Sequence, residues 1–110
     1  MTVKEISEKL SLTLVAGESG LCKEVKGCHI GDLLSLVMSK AQAGDAWITV
    51  QTHLNVLAVA ELNEAACIII PEGISVDAAT VEKAIEKEIS VLVSSMTAYE
   101  LCWKMHELLA

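Results

Sequence analysis

The chain has no phenylalanine, one proline, two tryptophans and one tyrosine among its 110 residues. A core built without Phe must come from Ile, Leu, Val, Ala and Met. Its eight basic residues are all lysines, so arginine is missing as well, and the formal net charge is −7. Nucleic-acid binding needs a basic face to displace counterions, and binding to an anionic bilayer surface needs the same; both are disfavoured. No apolar run approaches the roughly 20 residues that span a membrane. The opening MTVKEISEKL has the layout of neither a signal nor a transit peptide. The expected location is therefore cytoplasmic. Cys22, Cys28, Cys67 and Cys102 are then expected as reduced thiols, with Cys67, inside an apolar stretch, a small core residue.

Catalytic signatures are missing too. Gly17-Glu18-Ser19-Gly20-Leu21-Cys22-Lys23 lacks the G-x-x-x-x-G-K-[ST] spacing of a phosphate loop and lies between strands, so it reads as a turn. No G-x-S-x-G elbow occurs. Cys22, Cys28 and His29 give Cys-x5-Cys-His with no second Cys/His pair, which is no zinc pattern. His29, flanked by Gly27 and Gly31, reads instead as shaping a turn or a partner surface. We expect no enzyme activity, no metal and no cofactor.

What is present is a strongly apolar chain: 53% hydrophobic residues and a mean hydropathy of +0.50. For a small domain this implies helices buried on more than one face, or an apolar patch used by a partner. The length suits one domain over residues 1–110.

The organising stretch is Asp45–Gly73, DAWITVQTHLNVLAVAELNEAACIIIPEG. It reads as a strand (Ala46–Val50), a polar turn (Gln51-Thr52-His53), a nearly all-apolar helix (Leu54–Asn63), a second strand (Ala66–Ile70) and a stop at Pro71-Glu72-Gly73. Upstream, Thr2-x-x-Glu5 is a capping box that starts a helix over Val3–Leu10. Leu12–Val15 and Cys22–Cys28 read as two short strands paired in a hairpin around Gly17 and Gly20. Asp32 is placed to cap a short helix carrying Leu33, Leu36 and Val37, which Gly44 ends.

Downstream, Ser75 or Asp77 caps a helix to about Lys87, with Val81 and Ile85 inward. Ile89–Val93 is a third strand, and Thr97-Ala98-Tyr99-Glu100 opens a last helix carrying Leu101, Met105 and Leu108. Hydrophobic strands alternating with helices pair in parallel. The expected fold is α/β: a small, three-strand parallel sheet from a β-α-β-α-β-α unit, with an N-terminal helix and short hairpin added.

In such sheets ligands bind beyond the carboxyl ends of the strands, where helix N-termini favour anions. Those ends carry Gln51, Thr52, His53, Glu72, Gly73, Ser94 and Ser95, the candidate ligand-binding residues. The competing reading makes Thr52, Ser95 and Thr97 simple helix caps. Tyr99, Trp103 and His106 form a second stripe on the last helix. It is a candidate interface, since aromatics favour interface cores, although Trp103 packing on the first helix of its own chain would explain it equally. A homodimer is the preferred account, and a monomeric Trp103→Glu variant would place the interface on that helix.

The order of motifs VKEISEKL, LVAGESGL, GCHIGDLLS, AGDAWITVQTH, AACIIIPEG and TAYEL resembles the DRTGG domain family over nearly the whole chain. That family is related to the N-terminal domain of HPr kinase/phosphorylase and occurs beside CBS domains. The resemblance implies an α/β domain that dimerises and works as an interaction or sensory module, through a protein partner or a small ligand. The family's G-D-R and T-G-G positions read Gln51-Thr52-His53 and Pro71-Glu72-Gly73 here. Only Gly73 is kept, and the arginine has no counterpart. The kinase's nucleotide-binding domain has none either, so the resemblance carries no kinase activity.

Overall fold

Thr2 forms the expected capping box: its Oγ1 accepts from the Glu5 amide at 3.2 Å, and Glu5 Oε1 accepts from the Thr2 amide at 2.9 Å. The Thr2 amide, and after it the Thr2 hydroxyl donating to Glu5 Oε1 at 3.1 Å, hold the Glu5 carboxyl below the usual glutamate range. The helix they open, α1 (Val3–Lys9), buries Val3 and Ile6. A computed structural model describes all residues, Met1–Ala110. In chain order the further elements are β1 (Thr13–Ala16), β2 (Gly27–Ile30), α2 (Leu34–Lys40), β3 (Asp45–Ile48), α3 (Asn55–Leu62), β4 (Cys67–Ile70), α4 (Ala78–Lys87), β5 (Val91–Val93) and α5 (Ala98–Leu109).

The α/β class is as expected, but the sheet is larger. Five strands lie in the order β1-β5-β4-β3-β2. β2 through β5 pair in parallel, and β1 joins β5 antiparallel. The expected hairpin does not form: β1 and β2 lie at opposite edges. Ser90 and Gly17 account for the position of β1. The Ser90 hydroxyl donates to the Gly17 carbonyl at 2.6 Å in a buried position. Gly17 has φ +81°, and a Cβ there would collide with the Ile89 carbonyl; only glycine lets the backbones approach so closely. The segment between the two strands is instead tied to the N-terminus, with Val3 N–H donating to Lys23 O and Val25 N–H to Met1 O.

Both sheet faces are covered. On one, Trp47, Ile68, Ile70 and Val91 pack with Val37 of α2, Val56, Leu57, Val59 and Ala60 of α3, and Ala84 of α4. On the other, Ala46, Ile48, Cys67, Ile69 and Leu92 pack with Val3 and Ile6 of α1 and Leu101 and Met105 of α5. Strands buried on both faces are continuously apolar, which explains Cys67-Ile68-Ile69-Ile70, buried throughout. Ile85, expected inward, is exposed, and α4 buries Thr80 and Ala84 instead. No helix is long and apolar enough to cross a membrane.

Candidate functional site

Asp32 does not cap α2; Leu33 holds that position without a side-chain bond. Asp32 Oδ1 instead accepts from Thr49 Oγ1 at 2.8 Å and from the Val50 amide at 2.9 Å. It thereby fastens the end of β2 to the end of β3. Gln51 joins the same knot, its Nε2 donating to the Asp32 carbonyl at 3.1 Å. Thr52 faces α4: its hydroxyl donates to Asp77 Oδ1 at 3.2 Å, and its carbonyl accepts from Thr80 Oγ1 at 2.7 Å. His53 Nδ1 accepts from the Asn55 amide at 3.4 Å, in the first turn of α3.

The second turn is bound to the third. The amides of Glu72 and Gly73 donate to the carbonyls of Met96 and Ser94 at 2.8 and 2.9 Å. Both residues have positive φ, +65° and +67°, which points the Glu72 side chain at α5. Glu72 Oε2 accepts from the Ala98 amide at 2.9 Å. Thr97 Oγ1 accepts from the Glu100 amide at 3.1 Å. Two side chains therefore cap α5, one from its own chain segment and one from the neighbouring strand end. Ser94 Oγ accepts from the Met96 amide at 3.0 Å. No buried side-chain polar atom lacks a partner.

Two clefts open beside β5. One, of about 480 Å³, is lined by Ser94, Ser95, Lys9, Ser11, Trp103 and Lys104 among others. The other, of about 450 Å³, takes in Gly73 and Ile74 and shares Ser11, Ser94 and Ser95 with the first. Gln51, Thr52, His53 and Glu72 line neither cleft. The seven strand-end residues thus fall into two groups rather than one concave site. Lys9, Ser11 and Lys104 were not singled out in the sequence. The one local hint is Ser11, whose φ of +54° turns the chain out of α1.

On α5, Tyr99 is 83% and Trp103 46% exposed, with Lys104 Nζ 5.8 Å from the Trp103 ring centroid. His106 is exposed too, but the stripe divides. Trp103 lines the cleft beside α1, whereas His106 lines another beside β2 with Cys28, Ile30, Cys102 and Leu109. Burial pushes the Cys67 thiol up to about 12 and raises that of Cys102. A raised thiol pKa disfavours the thiolate, so neither is an activated nucleophile. No group of three or more His, Cys, Asp or Glu side chains is placed to hold a metal ion.

No protein-family model matches the chain, and no curated protein matches its sequence. Its fold is found among solved structures. It resembles the CBS and DRTGG domains of the regulatory region of Clostridium perfringens pyrophosphatase, a structure complexed with the activator diadenosine tetraphosphate. The TM-score is 0.70 at 15% identity, over 90% of this chain. The match spans 43% of the pyrophosphatase chain, so this domain corresponds to less than half of that regulatory region. The likeness is one of fold.

Proposed function

We propose that the chain is a non-catalytic regulatory module of DRTGG type that dimerises and acts through a protein partner in the cytoplasm. The observation that carries this reading is where the strand-end polar groups go. Asp32, Gln51, Thr52 and Glu72 are each engaged in fastening one turn or helix end to another, and Ser94 Oγ is engaged within its own turn. Catalysis needs a set of groups free to converge on a reacting atom, and this rim holds itself together instead. The surface also carries exposed apolar and aromatic side chains, Tyr99 and Trp103 among them. The outer face of α5 around Tyr99 and Trp103 is the contact surface we assign to the partner protein. The regulatory region of the pyrophosphatase, similar in fold, is the context that supports a regulatory role.

A second reading, a small-molecule or nucleotide sensor, is favoured by the cleft beside β5. Trp103 offers a stacking face, Lys9 and Lys104 offer charge, and Ser95 is exposed with no side-chain bond of its own. A thermal-shift screen with nucleotides, diadenosine tetraphosphate and common metabolites separates the two. The module reading expects no ligand to move the melting temperature. A rise of several degrees, lost in Lys104→Ala and retained in His53→Ala, would replace it with the sensor reading.

A further inference from the structure

β2 is the open edge of the sheet. Its neighbour on one side is β3; nothing pairs with the other. Open edges invite pairing, and proteins usually blunt them with bulges, charges or proline. The opposite edge, β1, is blunted by a bulge between Leu14 and Ala16. β2 keeps a regular register over all four residues and carries no charge or proline. Exposed apolar side chains surround it: Ile30 is 51% exposed, and on α2 Leu33 and Leu36 are 66% and 51% exposed. On the other face of the sheet a cleft of about 410 Å³ lies between β2 and α5, lined by Cys28, Ile30, Cys102 and Leu109.

The segment is self-complementary when reversed. Lys26-Gly27-Cys28-His29-Ile30-Gly31-Asp32, read against itself about His29, sets glycine opposite glycine, Cys28 opposite Ile30 and lysine opposite aspartate. The backbone phase agrees from Cys28 to Gly31, while the Lys26 amide turns inward to the Gly44 carbonyl. The Gly31 amide donates inward to the Ile48 carbonyl. By strand alternation His29 also faces β3, and the N–H and C=O of Cys28 and Ile30 face outward. Lys26 and Asp32 are both exposed. Lys26 is in no ion pair, and the Asp32 carboxylate accepts bonds only at Oδ1.

We infer that β2 pairs antiparallel with β2 of a second copy about a two-fold axis at His29, joining two sheets into one continuous sheet. This rests on the dimer proposed above and names its interface. Cys28 exchanges both backbone hydrogen bonds with Ile30 of the partner subunit, and Ile30 does the same with the partner's Cys28, as closely spaced antiparallel pairs do. Lys26 meets the partner's Asp32 at each end, a contact that an isologous interface makes twice. The partner's Ile30 lies at the mouth of the cleft beside α5. A stable dimer buries about 800 Å² per subunit, more than a four-residue strand supplies. Leu33 and Leu36 on one face and His106 and Leu109 on the other extend the contact.

The test is sedimentation velocity on the full chain together with an oxidative cross-link. His29→Cys, made with Cys22→Ser, Cys28→Ala and Cys102→Ser, places one thiol on the axis, where facing Cα atoms are about 4.5 Å apart, within disulfide reach. It should yield a covalent dimer under mild oxidation. Ile30→Lys alters only an exposed side chain and should weaken the dimer at least tenfold. Lys26→Glu should weaken it at low salt, with the effect fading at high salt. Circular dichroism checks that each variant is folded. Trp103→Glu should remain dimeric. A wild-type dimer that neither cross-links through position 29 nor responds to Ile30→Lys overturns the edge assignment and leaves the dimer standing. A monomeric wild type overturns both.

Discussion

Glu72 is a candidate ligand residue that the fold uses as a cap, and its substitution separates the two roles. Its carboxylate accepts the Ala98 amide at 2.9 Å, an otherwise unpartnered donor in the first turn of α5. Losing such a cap costs about 1 kcal/mol, including the interaction of the charge with the helix N-terminus. Glu72 also sits at φ +65°, where a side chain costs about 1 kcal/mol relative to glycine. Glu72→Ala removes the cap and keeps the strain, so it should lower unfolding stability by about 1 kcal/mol. Glu72→Gly removes both and should stay within about 0.5 kcal/mol of wild type. Glu72→Gln keeps an acceptor and should lose only a few tenths. Urea denaturation followed by far-UV circular dichroism, with a common slope, resolves these steps. If Glu72→Ala matches wild type, the capping role is wrong and the carboxylate is free for a ligand; if Glu72→Gly is as damaging as Glu72→Ala, the strain at Glu72 is wrong and the cap stands.

Trp47 is buried in β3 and donates through Nε1 to the Gly31 carbonyl at 2.9 Å, holding the end of β2 in place. Trp47→Phe should cost about 2–4 kcal/mol from the lost hydrogen bond and the space left by the indole, measured by urea unfolding with Trp103 as the remaining fluorophore; a loss under about 1 kcal/mol would refute this. The Cys67 thiol is raised by burial from 9.0 to about 12, so the folded state favours its neutral form. Its contribution is complete below pH 9 and falls by about 1.4 kcal/mol per pH unit as pH rises from there toward 12. The stability advantage of wild type over Cys67→Ala should therefore shrink steadily from about pH 9 to 10.5, and a constant difference would contradict the assignment.

The alternation of strand and helix from Asp45 onward was legible because each strand is buried on both faces and reads as an unbroken apolar run. The capping boxes at Thr2 and Thr97 marked helix starts, though at Thr97 only half of the box forms: the amide of Glu100 bonds Thr97, while its carboxylate pairs with Lys104 at 3.6 Å. β2 was misplaced because Gly27-Cys28-His29-Ile30 is a half-exposed edge strand with no continuous apolar signal, and proximity in sequence favoured pairing it with β1. The anchor that sends β1 elsewhere joins Gly17 to Ser90, across almost the whole chain, and no local pattern announces it. The site was legible only as a set of turns. Which turns share a cleft depends on the path from α1 through Ser11, and the role of Asp32 depends on Thr49 and Val50 lying beside it.

The central claim is that this domain works as a symmetric pair, and its mass in solution tests that most directly. Sedimentation velocity at micromolar concentration should give one species at twice the 11.8 kDa of the chain, shifting toward the single-chain mass in Ile30→Lys. A wild-type chain that sediments at 11.8 kDa across that range would contradict the account.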